Sequence, residues 1–178
     1  MSNASRAPPK IVLDFDPRSC KGFLEKSPLA DELAEKWFGK YFEDRLELDL
    51  VEVAYLLLQG RAHIRHSNSF ISDLDNLVST YPQCFEKFFW PMLTVYKDLR
   101  DRGRRVKVIE AMKFLVRDKS GDLRLIQVLE EKTPLQTSRV FDLIDEARRN
   151  NLKVTLAIVS LHGELTYYEL VQADLRAG

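Results

Sequence analysis

The sequence predicts an α+β protein of two small domains, a helix-rich α/β domain followed by a domain built on a mixed sheet. Three observations predict this. Up to Gly103 most apolar residues recur at helical spacing. Beyond Gly103 the period switches to two, with a single helical interruption at roughly 138–150. Within the first regime stands the turn pair Tyr81-Pro82, which places a boundary near residues 79–84 and gives domains at 1–81 and 82–178. A chain of 178 residues has enough bulk for two modest cores.

KIVLDF (10–15) reads as the first strand, after an opening MSNASRAPPK expected to be a disordered tip. In SPLADELAEKWFGKYFE, Ser27 can cap a helix and Pro28 suits its first position. Leu29, Leu33, Ala34, Trp37, Phe38, Tyr41 and Phe42 would form its core-facing stripe. LDLVEVAYLLLQGRAHI (48–64) comes next, with Asp49 and Glu52 spaced as a capping box, Gly60 as a stop, and RAHI as a short strand. A third helix is expected over Ser69–Ser79. Residues 82–103 read as one long helix that Pro91 should bend. RRVKVI, KFLV, RLIQVLE, KVTLAIVS and LTYYEL then read as strands, KFLV and RLIQVLE forming a hairpin within MKFLVRDKSGDLRLIQVLEEK (112–132).

Composition narrows the function classes. Lys plus Arg and Asp plus Glu both total 27, so the broad basic field of a stand-alone nucleic-acid binder is missing. The two cysteines, Cys20 and Cys84, lie far apart and form no CxxC motif, which predicts two reduced, partly buried thiols in a cytoplasmic protein. No apolar run reaches the length of a membrane span, and the start lacks the apolar stretch of a secretory signal.

Candidate chemistries are few. HIRH (63–66) sets two histidines three apart on a strand, where they face opposite ways, and no third metal ligand is near. His162 falls in a solvated turn. Phosphate-cradling glycine loops and nucleophile elbows are absent from the sequence. VLEEK (128–132) ends a strand in Glu-x-Lys, with Asp118 or Asp122 upstream. In a metal-dependent nuclease Glu130 would help hold the divalent ion and Lys132 would position the attacking water. The bland alternative is a strand running into a charged loop. Arg100, Arg102, Arg104 and Arg105 cluster where a helix ends; they are either solvated cations at its carboxy terminus or a weak RNA-binding surface.

Three stretches, in order, carry a resemblance. LDLVEVAYLLLQGRAHI resembles the amino-terminal domain of archaeal tRNA-splicing (tRNA-intron) endonucleases. VYKDLRDRGRRVK (95–107) is similar to the helix exit that opens their catalytic domain, and LKVTLAIVSLHGELTYYEL (152–170) to their closing hairpin. The resemblance implies a carboxy-terminal domain of restriction-endonuclease-like (tRNA endonuclease) type. It also implies RNA cleavage without metal or other cofactor, leaving 2′,3′-cyclic phosphate and 5′-hydroxyl ends. A tyrosine is the general base, a histidine the general acid, and a lysine stabilises the charged transition state.

The positions of this chain matching that triad hold Arg117, Gly121 and Leu152, with Lys153 one residue on. Arginine is no base at neutral pH, glycine has no proton to give, and leucine carries no charge. The resemblance therefore implies a non-catalytic, structural subunit that joins a catalytic subunit in a heterotetramer, two plus two, and meets pre-tRNA through that complex. Glu130 and Glu131 match the family's acidic docking loop, from which Lys132 departs. Leu165, Tyr167, Tyr168 and Leu170 of the closing strand are the expected partner surface. Two other readings stay open: an active metal-dependent nuclease using Glu130 and Lys132, and an unrelated interaction module.

Overall fold

A computed structural model describes residues 11–86 and 88–171. It divides into two compact units, Met1–Glu86 and Lys87–Gly178. The amino-terminal tip expected at residues 1–10 lies outside the described residues.

The first unit carries more sheet than its helical spacing suggested. Its strands are β1 (Ile11–Asp16), β2 (Lys21–Glu25), β3 (Lys40–Phe42), β4 (Arg45–Leu48), β5 (Ala62–His66) and β6 (Ser69–Ile71). They form one sheet in the order β3-β4-β2-β1-β5-β6. Only β1 and β5 run parallel among these pairs. Three helices accompany it: α1 (Pro28–Glu35), α2 (Leu50–Leu58) and α3 (Leu74–Thr80).

Helix α2 is buried from Leu50 through Leu57, hydrophobic nearly all round because it lies within the core with Ile11, Leu13, Leu46, Leu48 and Ile64. The expected capping box is present. The Asp49 side chain accepts from the Val51 amide at 3.2 Å, and Glu52 Oε2 accepts from the Asp49 amide at 2.8 Å. The other Glu52 oxygen accepts from the Gly39 amide at 2.9 Å, so a carboxylate only 3% exposed has N–H partners on both sides. Gly60 stops the helix at φ +63°.

Three expectations in this unit are corrected. The helix expected to run to Phe42 ends at Glu35, because Trp37 turns into the left-handed region at φ +67°. The Trp37 amide then returns to the Ala34 carbonyl and the Phe38 amide to the Leu33 carbonyl, each at 2.9 Å. This closes a Schellman cap without glycine at its usual position. Gly39 comes next at φ +61°, where a Cβ would stand 2.5 Å from the Glu47 carbonyl oxygen, and the chain leaves as β3. The helix expected over Ser69–Ser79 begins only at Leu74, since Ser69–Ile71 pairs antiparallel with β5 and Asp73 is the N-cap of α3. Cys20 and Cys84 are not free thiols but form a disulfide, their Cα atoms 5.5 Å apart. Sequence separation hid this: the β1–β2 turn folds back onto the 3-10 turn Pro82–Cys84, where both sulfurs also approach the Pro17 carbonyl.

The second unit opens with α4 (Phe89–Asp101). The long helix expected from residue 82 is thus a 3-10 turn and a separate helix. Pro91 lies in the first turn of α4, where its missing N–H leaves no interior bond unmade. The sheet of this unit contains β7 (Arg105–Glu110), β8 (Lys113–Arg117), β9 (Leu123–Glu130), β10 (Lys153–Val159) and β11 (Leu165–Leu170), in the order β11-β10-β9-β8-β7. β9 and β10 are parallel, joined by the crossover helix α5 (Thr137–Arg149); the other neighbours are antiparallel.

Period-two alternation assigns the two faces of this sheet. Leu125, Val154 and the half-buried Leu152, Leu156 and Leu170 pack with Leu143 and Ala147 of α5. Phe114 and Ile126, paired in register, take the opposite face, where Phe114 meets the Tyr96 ring of α4 at 5.8 Å. No helix among the described residues is long and apolar enough to cross a membrane.

Candidate functional site

The β8–β9 hairpin and the start of β10 bring the three expected catalytic positions to one end of one sheet. Arg117 ends β8 opposite Leu123, and Arg124 of β9 lies beside Lys153 of β10. The hairpin turn is built by Asp118, whose Oδ1 accepts from the Ser120 hydroxyl at 2.6 Å, the Asp122 amide at 3.0 Å and the Ser120 amide at 3.1 Å. The Ser120 hydroxyl bond is the largest influence holding the Asp118 carboxyl below its ordinary range. Gly121 takes φ +94° in that turn, a conformation that strains any side chain placed there.

The chemistry at this end is ion pairing. Arg117 is exposed and stands directly opposite Arg105, two like charges facing each other across an antiparallel pair. Leu152 packs into the apolar cluster under α5. Lys153 Nζ lies 2.9 Å from Asp122 Oδ2. Arg124 reaches Asp118 Oδ2 at 3.5 Å and Glu169 Oε2 at 3.3 Å. Asp118 and Asp122, considered from sequence as metal ligands beside Glu130, thus hold the turn and Lys153. Among the described residues no group of three His, Cys, Asp or Glu side chains is gathered as a metal ion would need.

The remaining candidates disperse. Glu130 closes β9 half-buried. Glu131 is exposed, its amide donating to the Val159 carbonyl at 2.8 Å and its carboxylate accepting from the Leu161 amide at 3.3 Å. Lys132 adopts φ +65° just beyond it. β11 pairs only with β10, so its outer edge is open among the described residues. Its aromatic residues differ: Tyr168 is 54% exposed, whereas Tyr167 is half-buried and donates its hydroxyl to Asp98 Oδ2 at 2.8 Å. Burial first, then that bond and the charge of Asp98, push the Tyr167 phenol well up, against the opposing pull of Arg102 and Arg104. It stays protonated. Arg100 turns inward, donating to the Tyr96 hydroxyl at 3.0 Å and the Val106 carbonyl at 2.8 Å. Arg105 is exposed and Arg104 half-buried.

Sequence reasoning passed over Arg124, Thr155 and Asp98, which also belong to this end of the sheet. A signal was available for the first two. Arg124 and Thr155 interrupt faces that otherwise read Ile126–Val128 and Ala157–Val159, and a polar residue on a core-facing period signals a built contact.

Two family models cover most of the chain in the same order as the two units. The tRNA intron endonuclease N-terminal domain matches residues 15–77, and the tRNA intron endonuclease catalytic C-terminal domain matches residues 89–167. This chain belongs to the tRNA intron endonuclease family. It is 31% identical over 161 residues to a tRNA-splicing endonuclease of Methanosarcina acetivorans, covering 84% of this chain and 43% of that protein. It is 27% identical to that of Methanothermobacter thermautotrophicus over 139 residues, 74% of this chain and 79% of the relative. The Thermococcus kodakarensis tRNA-splicing endonuclease is 29% identical over 143 residues, 76% of this chain and 83% of its own. The chain therefore spans less than half the length of the Methanosarcina relative.

Proposed function

We propose that this chain is a structural, non-catalytic subunit of a tRNA-splicing endonuclease. It would assemble with a catalytic subunit, two plus two, to excise introns from pre-tRNA at bulge-helix-bulge sites. The observation that carries this reading is the residue content of the triad positions. Arg117, Gly121 and Leu152 stand there, offering no base, no acid and, at the lysine's position, no cation. Nearby side chains do not replace them. Lys153, the lysine nearest the expected position, is paired with Asp122 at 2.9 Å, and the Tyr167 phenol is held protonated by burial and Asp98.

Two features support a role in assembly. β11 offers an open sheet edge with the exposed Tyr168 beside it, and an unpaired edge invites another chain. Leu165 flanks it half-buried, while Leu170 is committed to the cluster beneath α5. The exposed Glu131 and its neighbour Glu130 supply negative charge at the far end of β9 for a basic groove of the partner. Of the arginines expected to meet RNA, Arg105 is exposed and Arg104 half-buried, while Arg100 is committed to Tyr96 and Val106.

The experiment is cleavage of an intron-bearing pre-tRNA by the rigorously purified chain, by its catalytic homologue, and by the two co-expressed. The expected result is no product from the chain alone, with or without magnesium, and cleavage from the co-expressed pair. Product from the pure chain would overturn the reading, and magnesium dependence of that product would favour a metal-dependent nuclease instead.

A further inference from the structure

A cavity of about 240 Å³ opens on the α4 face of the second sheet, lined by Arg102, Arg104, Arg124, Thr155, Tyr167 and Glu169. That is several times the roughly 30 Å³ share of one water in the liquid. Its floor is Thr155, only 6% exposed, whose hydroxyl has no hydrogen-bond partner. A buried hydroxyl left unpaired is destabilising, so a side chain kept in that state on a core-facing strand calls for a partner from outside the chain.

The charges around the cavity are nearly all compensated. Arg102 is paired with Asp98 at 3.0 Å. Arg124 is held between Asp118 and Glu169. The Tyr167 hydroxyl donates a hydrogen bond to Asp98. Arg104 is the exception: half-buried at the cavity wall, it has no carboxylate partner among the described residues. A cation partly removed from water and a buried hydroxyl donor therefore face one small polar space, with a fixed ring of paired charges around them. A ligand suited to this space carries negative charge and several acceptor oxygens, and is small.

We propose that this cavity binds a phosphate group, with the Arg104 guanidinium and the Thr155 hydroxyl as its donors. The guanidinium fork matches tetrahedral oxyanions geometrically, and Arg124 and Arg102 contribute positive potential from their anchored positions. Glu169 faces the same space and limits it to a single phosphate. The phosphate can come from an RNA backbone or from solution. The site uses none of the triad positions, and although it shares Arg104 with the proposed RNA surface, binding of inorganic phosphate succeeds or fails separately from the proposed subunit role.

The test is calorimetric titration of the full-length chain with potassium phosphate, and separately with a 12-residue oligouridylate, against potassium chloride at matched ionic strength. Four variants are compared with the parent: Arg104→Gln, Arg104→Lys, Thr155→Val, and Arg149→Gln, which removes an exposed positive charge from the last turn of α5. The expected result is one phosphate per chain, weakened at least about tenfold by Arg104→Gln, as for the loss of a charge-assisted hydrogen bond. Thr155→Val should weaken it about threefold to tenfold, as for a neutral one, while Arg104→Lys recovers part of the loss. Arg149→Gln should leave it unchanged. If the oligonucleotide shows the same pattern, the ligand is backbone phosphate; if only inorganic phosphate does, the site takes free phosphate. No phosphate binding, equal losses in Arg104→Gln and Arg149→Gln, or an unaffected and folded Thr155→Val would each overturn the proposal. Should Thr155→Val fail to fold, the two Arg104 variants against Arg149→Gln decide.

Discussion

Glu52 shows how one side chain can hold several elements. Its two oxygens accept from the Asp49 amide, which starts α2, and from the Gly39 amide, which lies in the turn between α1 and β3. At 3% exposure water cannot take over either role. Glu52→Ala should therefore cost about 1–3 kcal/mol for each of the two amides left unpaired, one of them the Asp49 amide of the capping box. Glu52→Gln keeps one acceptor oxygen and should cost less. Urea unfolding of both variants checks this; an alanine variant as stable as the parent would remove Glu52 from its linking role. Half of this arrangement is legible in the sequence. Asp49 and Glu52 have the spacing of a capping box, but nothing in the linear order ties Glu52 to Gly39, a contact that only the Schellman turn at Trp37 and Phe38 creates.

Among the elements, those with an unmistakable period are legible in the sequence. All five strands of the second sheet and the crossover α5 fall within a residue or two of their expected places, because alternation over five to eight residues has no competing helical explanation. The short strands β2, β3 and β4 are not legible in this way. Each is only three to five residues long, and Tyr41 and Phe42 happen to continue the helical spacing of α1. Tertiary pairing decides them. The disulfide is hidden for a related reason, since proximity across 64 residues belongs to the sheet and not to the sequence. That bridge closes a long loop within the first unit. By the loop-entropy relation, reducing it should destabilise that unit by about 4 kcal/mol. Thermal unfolding of the chain with and without reductant measures the effect, and an unchanged midpoint for the first unit would deny the bridge a stabilising role.

β11 makes a second prediction at the same scale. It is the outermost strand of its sheet, and it packs Leu170 beneath α5 while leaving Tyr168 exposed. If its open edge is the docking surface, deleting residues 165–178 should abolish co-elution with a catalytic subunit. Tyr167 complicates a simpler test. Its hydroxyl is committed to Asp98, so Tyr167→Phe would perturb the second unit itself. Tyr168→Ala is the gentler probe, because that ring is exposed. Co-elution unchanged in a still-folded deletion would place the interface elsewhere.

On the scale of the whole molecule, the proposed function assigns different roles to the two ends of β9. At its start, the positions expected to match the triad hold Arg117, Gly121 and Leu152 amid ion pairs that fix the hairpin turn. At its finish stand Glu130 and Glu131, the carboxylates expected to dock into a partner. The double change Glu130→Gln, Glu131→Gln tests that finish without disturbing the fold. Glu131 accepts one bond from the Leu161 amide, and a glutamine carbonyl oxygen can accept it equally well, so the substitution removes charge and little else. A partly desolvated charge contact that loses one side typically costs about 2–5 kcal/mol. At roughly 1.4 kcal/mol per tenfold, the dissociation constant of the heteromer should rise about thirtyfold or more. The parent complex should also weaken with added salt, and the double variant should weaken less steeply, because the screened contact is already gone. Dissociation constants for both complexes at two salt concentrations give the answer. An affinity untouched by the double change would remove these carboxylates from the interface and leave the open edge of β11 as the surface to test.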